Sequence, residues 1–258
     1  MPIAENLVEQ FHREGYLIFP RVISEPDLAA LHVECQQCLG QQIADMERVG
    51  AEAMGLSHKQ KRYFLPSRHD DRASLQRFLF SDQILSLVGS LIGDDVFLFL
   101  ELFVVKWPKT GTAFAWHQDS GYLLGNPHKP FVALWCALDD MTEENGALYV
   151  RPTSQTGSAE VVPHIKDKKA GDLVGYQGDD PGIAMNVPKG SIIALSSTTF
   201  HRSGANITDH PRRAYLASYS PEPIIDKNGR LWNRAVVCLK DGKRVDQREM
   251  KTAMGGAI

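Results

Sequence analysis

The sequence predicts a mainly β fold, a barrel or sandwich of short strands with helices packed outside it. Three observations carry that reading. From Asp95 onward, apolar runs of four to eleven residues alternate with turn residues such as Pro188-Lys189-Gly190. Before Asp95 the texture differs, with longer stretches in which apolar residues recur at helical spacing behind hydroxyl caps. The chain has 258 residues, 43% hydrophobic and 23% charged, which is ample for a buried core and ordinary for a globular protein.

Taken in order, residues 4–14 place Leu7, Val8 and Phe11 on one helical face, and Gly15 is positioned to stop the helix. Tyr16-Leu17-Ile18-Phe19 reads as a short strand closed by Pro20. Ser24-Glu25-Pro26-Asp27 is a helix start, with a hydroxyl N-cap, a proline in the first turn and an acid at N3. That helix should run through Leu28, Leu31 and Cys35 and fade before Gly50. Residues 51–71 are polar and read as irregular. Their His69-Asp70-Asp71 is formally a His-x-Asp, but no strand alternation surrounds it, so a solvated charge cluster is expected. Ser81 caps a helix that runs through Ile84, Leu85, Leu87, Val88 and Leu91 to Gly93.

Strands follow at 96–106, 114–117, 131–138, 147–150, 183–187, 192–195, at His201, and at 213–220. After Pro221, Trp232 and Val236-Val237-Cys238 suggest a last edge strand, and residues 254–258 should be loose. No repeat or linker splits the chain. A single domain over 1–258 is expected: a mainly helical part at 1–94, a β core at 95–222 and an extension at 223–258.

Composition also excludes partners. A net charge of −3 argues against a nucleic-acid backbone or an anionic membrane as the main partner. No apolar run approaches the roughly 20 residues of a spanning helix. Met1-Pro2-Ile3-Ala4-Glu5 has neither the basic nor the apolar region of a signal peptide, so a cytoplasmic location is expected. Four scattered cysteines make no disulfide framework. Cys35 and Cys38, with His32 just upstream, share one face of a helix, where packing is expected rather than zinc. Cys136 lies in an apolar strand and reads as core.

The chemistry centres on Trp116-His117-Gln118-Asp119. In a strand, side chains two apart point the same way, so His117 and Asp119 would aim an imidazole and a carboxylate into one cavity, with Gln118 on the other face. His201, after the apolar run Ser191-Ile192-Ile193-Ala194-Leu195, is the best third ligand. Two histidines and one carboxylate suit a non-haem Fe(II) that keeps open positions. Ser203, Gly204 and Asn206 follow His201, and Arg212 comes eleven positions after it.

This set resembles the phytanoyl-CoA dioxygenase family of Fe(II)/2-oxoglutarate oxygenases, over about Phe11 to Tyr219. The resemblance implies a double-stranded β-helix (jelly-roll) core. It implies that His117, Asp119 and His201 hold Fe(II), with 2-oxoglutarate and O2 as cosubstrates. The expected reaction is hydroxylation, or a related oxidation, of a small-molecule substrate, with release of succinate and CO2. Arg212 would pair the far carboxylate of 2-oxoglutarate in fork geometry, and Ser203 on the same strand face would add a hydroxyl. Arg213 should face the other way. Gln118 and Trp135 match family positions near the cosubstrate, Gln118 only if the strand bends there. Asn145-Gly146 resembles the family's turn before the next strand, whereas Pro152-Thr153-Ser154-Gln155 departs from the family's Pro-Gly-Ser-His.

Halogenating relatives lack the carboxylate that Asp119 supplies, so hydroxylation is favoured. Two other readings share the strands: a non-catalytic jelly-roll binder, and a zinc hydrolase using the same three ligands. Residues 120–130 and 159–181 are candidate lids that carry Tyr122, His128, His164 and Tyr176. The substrate and the oligomeric state stay open.

Overall fold

The computed structural model describes residues 3–66, 69–123, 125–226 and 228–246. In order, its elements are α1 (Glu5–Glu14), β1 (Tyr16–Phe19), α2 (Glu25–Arg48), β2 (Ala53–Met54), β3 (Ser57–His58), β4 (Arg62–Pro66), α3 (Ala73–Leu79), α4 (Asp82–Ile92), β5 (Val96–Lys106) and β6 (Phe114–His117). A 3-10 turn (Asp119–Leu123) leads to β7 (Val132–Ala137), β8 (Leu148–Arg151), the short α5 (Thr153–Thr156), β9 (Ile165–Lys166), β10 (Leu173–Val174) and β11 (Ile183–Ala184). The chain closes with β12 (Ile192–Ser196), β13 (Phe200–Ser203), β14 (Arg212–Ser220), β15 (Val236–Lys240) and β16 (Lys243–Arg244).

The helices begin where the caps placed them. Ser24 Oγ accepts from the Asp27 amide at 3.3 Å, and Ser81 Oγ from the Ile84 amide at 3.3 Å. On α2, Leu28, Leu31, Cys35, Cys38, Gln42 and Met46 are buried at spacings of three and four, the stripe that a packed helix requires. Cys35 and Cys38 are buried on that stripe outside any disulfide, and burial pushes the Cys35 thiol up to about 12, which makes it unreactive.

Two antiparallel sheets face each other. The larger runs β1-β12-β7-β14-β5-β4-β3-β2, with β15 paired to β5 and to β16. The smaller runs β11-β8-β13-β6. This is the jelly-roll expected, with helices outside the larger sheet. Alternation along β5 divides its work. Phe103 and Val105 join the core under the helices, while Leu102, Val104 and Lys106 line a cavity between the sheets. A register shift opposite Leu98 and Leu100 breaks the alternation, so that Leu98 is core while Phe99 and Leu100 both line the cavity. A second core of Ala133, Trp135, Leu148, Val150, Ile193 and Leu195 seals the two sheets together.

Residues 51–71 are less irregular than expected, since they carry β2, β3 and β4. In β4, Tyr63 and Leu65 enter the helix-side core while Arg62 and Phe64 face the cavity. The polar Arg62 on the inward face hid the alternation. His69 is not solvated. It is 3% exposed, and its amide donates to Glu101 Oε1 at 3.0 Å with Nδ1 3.2 Å from the same oxygen. A buried carboxylate on β5 draws it in, and Asp70 and Asp71 stay outside. Helix α3 carried no clear sequence signal. Residues 254–258, expected to be loose, lie outside the described residues. No helix among the described residues is long and apolar enough to cross a membrane.

Candidate active site

His117 ends β6, and His201 sits opposite it in register on the neighbouring β13. Their ring centroids are 4.1 Å apart. Asp119 is not on the strand. The chain leaves β6 after His117 and coils into the 3-10 turn, so the turn, not strand alternation, delivers the carboxylate. The ligand atoms of His117, Asp119 and His201 all lie within 4.8 Å of one another. Asp119 Oδ1 is 3.5 Å from His117 Nε2 and 3.6 Å from His201 Nε2.

Each imidazole is aimed by its own strand. His117 Nδ1 donates to the Ala115 carbonyl at 2.8 Å and His201 Nδ1 to the Thr199 carbonyl at 3.0 Å. A carbonyl only accepts, so the proton is on Nδ1 and the Nε2 lone pair faces Asp119. Burial, reinforced by His117, pushes the His201 imidazole down to about 4 and keeps it neutral. Burial alone would raise the Asp119 carboxyl, but His201, His117 and His164 beside it hold it below its ordinary value. Two neutral nitrogens and one anionic oxygen, buried and convergent, fit a divalent transition metal with open positions.

The three residues open onto a cavity of about 250 Å³. Arg212, 1% exposed, forms its far wall from β14. Its Nη2 donates to the Gly146 carbonyl at 2.7 Å, whereas Nε and Nη1 have no protein partner. Its guanidinium carbon lies 5.2 Å from the centre of the Trp135 ring. Burial pushes the guanidinium down to about 9, which still leaves it charged at neutral pH. Unpaired buried donors are costly, so this edge is built for an acceptor that enters the cavity. The Asn145-Gly146 turn has a glycine with φ of 89°, and a Cβ there would stand 2.6 Å from the Gly204 carbonyl oxygen.

Ser203 and Trp135 also line the cavity. Arg213 faces outward and grips Asp139 with Nε at 2.9 Å and Nη2 at 2.7 Å. Gln118 is a correction. It is fully buried but does not line the cavity: Nε2 donates to the Glu160 and Thr198 carbonyls at 2.8 and 2.7 Å, and Oε1 accepts from the Val162 amide at 2.9 Å. Those bonds tie down the loop after α5.

The sequence reading missed two charged groups and placed a third residue, His164, only on a candidate lid. Lys106 ends β5 on the cavity face, with Nζ donating to the Thr112 carbonyl at 2.8 Å and to that of Gly204. Its parity with Leu100, Leu102 and Val104 was the available signal. Arg62 binds Asp172 through both guanidinium nitrogens, one of them at 3.1 Å, and so fastens the 159–181 segment to β4. His164 accepts from the Gln118 amide through Nε2 at 2.9 Å and packs on Gly121, steadying the turn that carries Asp119.

The family model described as Phytanoyl-CoA dioxygenase (PhyH) matches residues 11–214, well over half of the chain. The chain belongs to the phytanoyl-CoA dioxygenase family. Among curated members of that family and its relatives, it is 26% identical over 159 residues to phytanoyl-CoA dioxygenase domain-containing protein 1 of Mus musculus, covering 59% of this chain and 53% of that protein. It therefore spans about half the length of that relative. It is 24% identical over 238 residues to L-proline trans-4-hydroxylase of Streptomyces griseoviridis, covering 82% and 84% of the two chains. The crystal structure of EvdO2 from Micromonospora carbonacea var. aurantiaca, complexed with 2-oxoglutarate, superposes with a TM-score of 0.64 at 21% identity, covering 96% and 97%. That likeness is one of fold.

Proposed function

We propose that this phytanoyl-CoA dioxygenase family member is a non-haem Fe(II)/2-oxoglutarate-dependent dioxygenase of the hydroxylase type, acting on a small molecule. One observation carries the reading. The two unpaired guanidinium nitrogens of Arg212 are buried in the same cavity as the His117–Asp119–His201 group. A zinc hydrolase or a passive binder needs the metal ligands but has no use for that buried, unmatched cation. The EvdO2 complex with 2-oxoglutarate supports it by likeness of fold.

His117, Asp119 and His201 would hold Fe(II), which when bound supplies the oxygen-activating redox chemistry of the reaction. The residues of the chain do the rest. The Thr199 and Ala115 carbonyls lock both imidazoles in the ligating tautomer. Arg212 orients the cosubstrate by pairing its far carboxylate, with Ser203 and the Trp135 face beside it. Leu102, Val104, Leu195 and Leu216 keep water from the space between.

The test is an anaerobic titration of the metal-free protein with Fe(II) and 2-oxoglutarate, followed by the visible metal-to-ligand charge-transfer band. The band should form in the native protein. In Arg212→Ala it should require about a hundredfold more 2-oxoglutarate, the cost of about 3 kcal/mol for one member of a buried charge pair. No band despite bound iron would exclude the cosubstrate.

A further inference from the structure

The cavity is polarised along β5, and that gradient names the class of the substrate. At one end Lys106 is flanked in register by Arg62 on β4 and Arg212 on β14. Six residues back along β5, roughly 20 Å at about 3.3 Å per residue, the wall is Phe99 and Leu100. There Phe99, Leu123, Phe131 and Ile224 form an apolar cluster separate from both cores, with Leu100 packed on it. Phe99, Leu100, Leu123 and Phe131 line the cavity, and Trp232 from the extension after β14 closes over Phe99 with ring centroids 6.1 Å apart. Folding does not account for a third cluster that opens onto a cavity rather than filling it.

Every described charge that lines the cavity has an assignment. Asp119 belongs to the metal ligands, and Arg212 to the carboxylate of the cosubstrate. Arg62 is matched by Asp172. Lys106 is held by the Thr112 and Gly204 carbonyls. Arg202 lies over the Tyr149 ring at 3.7 Å and donates to the Pro181 carbonyl at 3.1 Å, turned to the rim. At the far end, the polar side-chain groups among the described lining residues are the Ser218 hydroxyl and the Trp232 indole N–H, both uncharged, while the Tyr122 hydroxyl accepts from the Leu173 amide at 3.2 Å nearer the charged end. An amino acid or a phosphorylated carrier seated there would bury charge against phenyl rings with nothing to pair it, at a cost of several kcal/mol per ion.

We propose that the substrate is an uncharged, largely apolar small molecule with a ring-sized body, held between Phe99, Phe131 and Trp232 and oriented by one hydroxyl contact. This rests on the assignment of Arg212 to 2-oxoglutarate, and it separates this chain from its relative that hydroxylates L-proline, a zwitterion.

The probes are 1-naphthol, uncharged at neutral pH, and 1-naphthoate and L-proline, which carry charge. Each is titrated anaerobically by equilibrium dialysis into the protein, with and without Fe(II) and 2-oxoglutarate. 1-Naphthol should bind at least about tenfold more tightly than either of the others. Trp232→Ala, at a half-exposed position that the fold tolerates, should weaken 1-naphthol severalfold, and Leu100→Lys should reverse the preference towards 1-naphthoate. Equal or tighter binding of 1-naphthoate or L-proline to the native protein with 2-oxoglutarate present, so that Arg212 is occupied, overturns the proposal, as does no binding of 1-naphthol. A missing charge-transfer band counts against the cosubstrate assignment alone, because the dialysis reads binding without it.

Discussion

At the scale of single residues, the site depends on which atoms are left unmatched. Asp119 is the anionic member of the triad, and its removal takes away both a ligand and the charge that balances a divalent ion. Asp119→Ala should bind Fe(II) at least about a hundredfold more weakly and release no succinate, with metal content after gel filtration as the check. Retained iron with full activity would undo the triad. His32 gives a second test, remote from the metal. Its Nε2 lies 2.7 Å from the Leu138 carbonyl, and burial, with Arg213 nearby, lowers its pKa below 6.5. The unfolded chain then takes up the proton first as pH falls. Stability should be full above the unfolded value of 6.5 and decline as pH drops below it towards the folded value. Urea midpoints across that range should be flatter in His32→Gln. Spacing pointed to His117, Asp119 and His201, which the structure brings together, and the family resemblance pointed to Arg212. Residue identity misled on His69 and left His164 as one residue of a candidate lid, because a buried histidine and a surface one are spelled alike.

At the scale of elements, turns do the positioning that strands were expected to do. Asp119 reaches the metal ligands from a 3-10 turn, and the Asn145-Gly146 turn seats Arg212 through its carbonyl. Gly146→Ala would force a side chain onto positive φ and against the Gly204 carbonyl oxygen. It should raise the 2-oxoglutarate requirement about tenfold or more while Fe(II) binding changes little, a split that separate metal and cosubstrate titrations would read. Equal loss of both would mean a general collapse of the turn. The long strand β5 and the capped helices α2 and α4 were legible because period and cap chemistry agree along them. Strand β4 was not, because its inward face carries an arginine, and the two-residue pairings β9–β10 and β2–β3 are too short to show a period.

At the scale of the whole molecule, the larger sheet works on both faces: helices and a conventional core on one, the reaction cavity on the other. The sequence showed the layers through its switch in texture at Asp95, but not which inward positions would be core and which would be cavity, since Leu and Phe serve both. That distinction is fixed only when Trp232, distant in sequence, closes on Phe99. The row Arg62–Lys106–Arg212 across three adjacent strands has a wider consequence. Like charges opposed in register weaken a sheet, and burial with its two neighbours drives the Lys106 ammonium well below its ordinary pKa. A dicarboxylate that docks there would pair the unmatched nitrogens of Arg212, and by mass action it would favour the native state. Protease resistance, measured with Mn(II) in place of Fe(II) so that no turnover occurs, should climb with 2-oxoglutarate concentration and be unmoved by succinamide. The lifetime of the protein would then follow the supply of the dicarboxylate it binds.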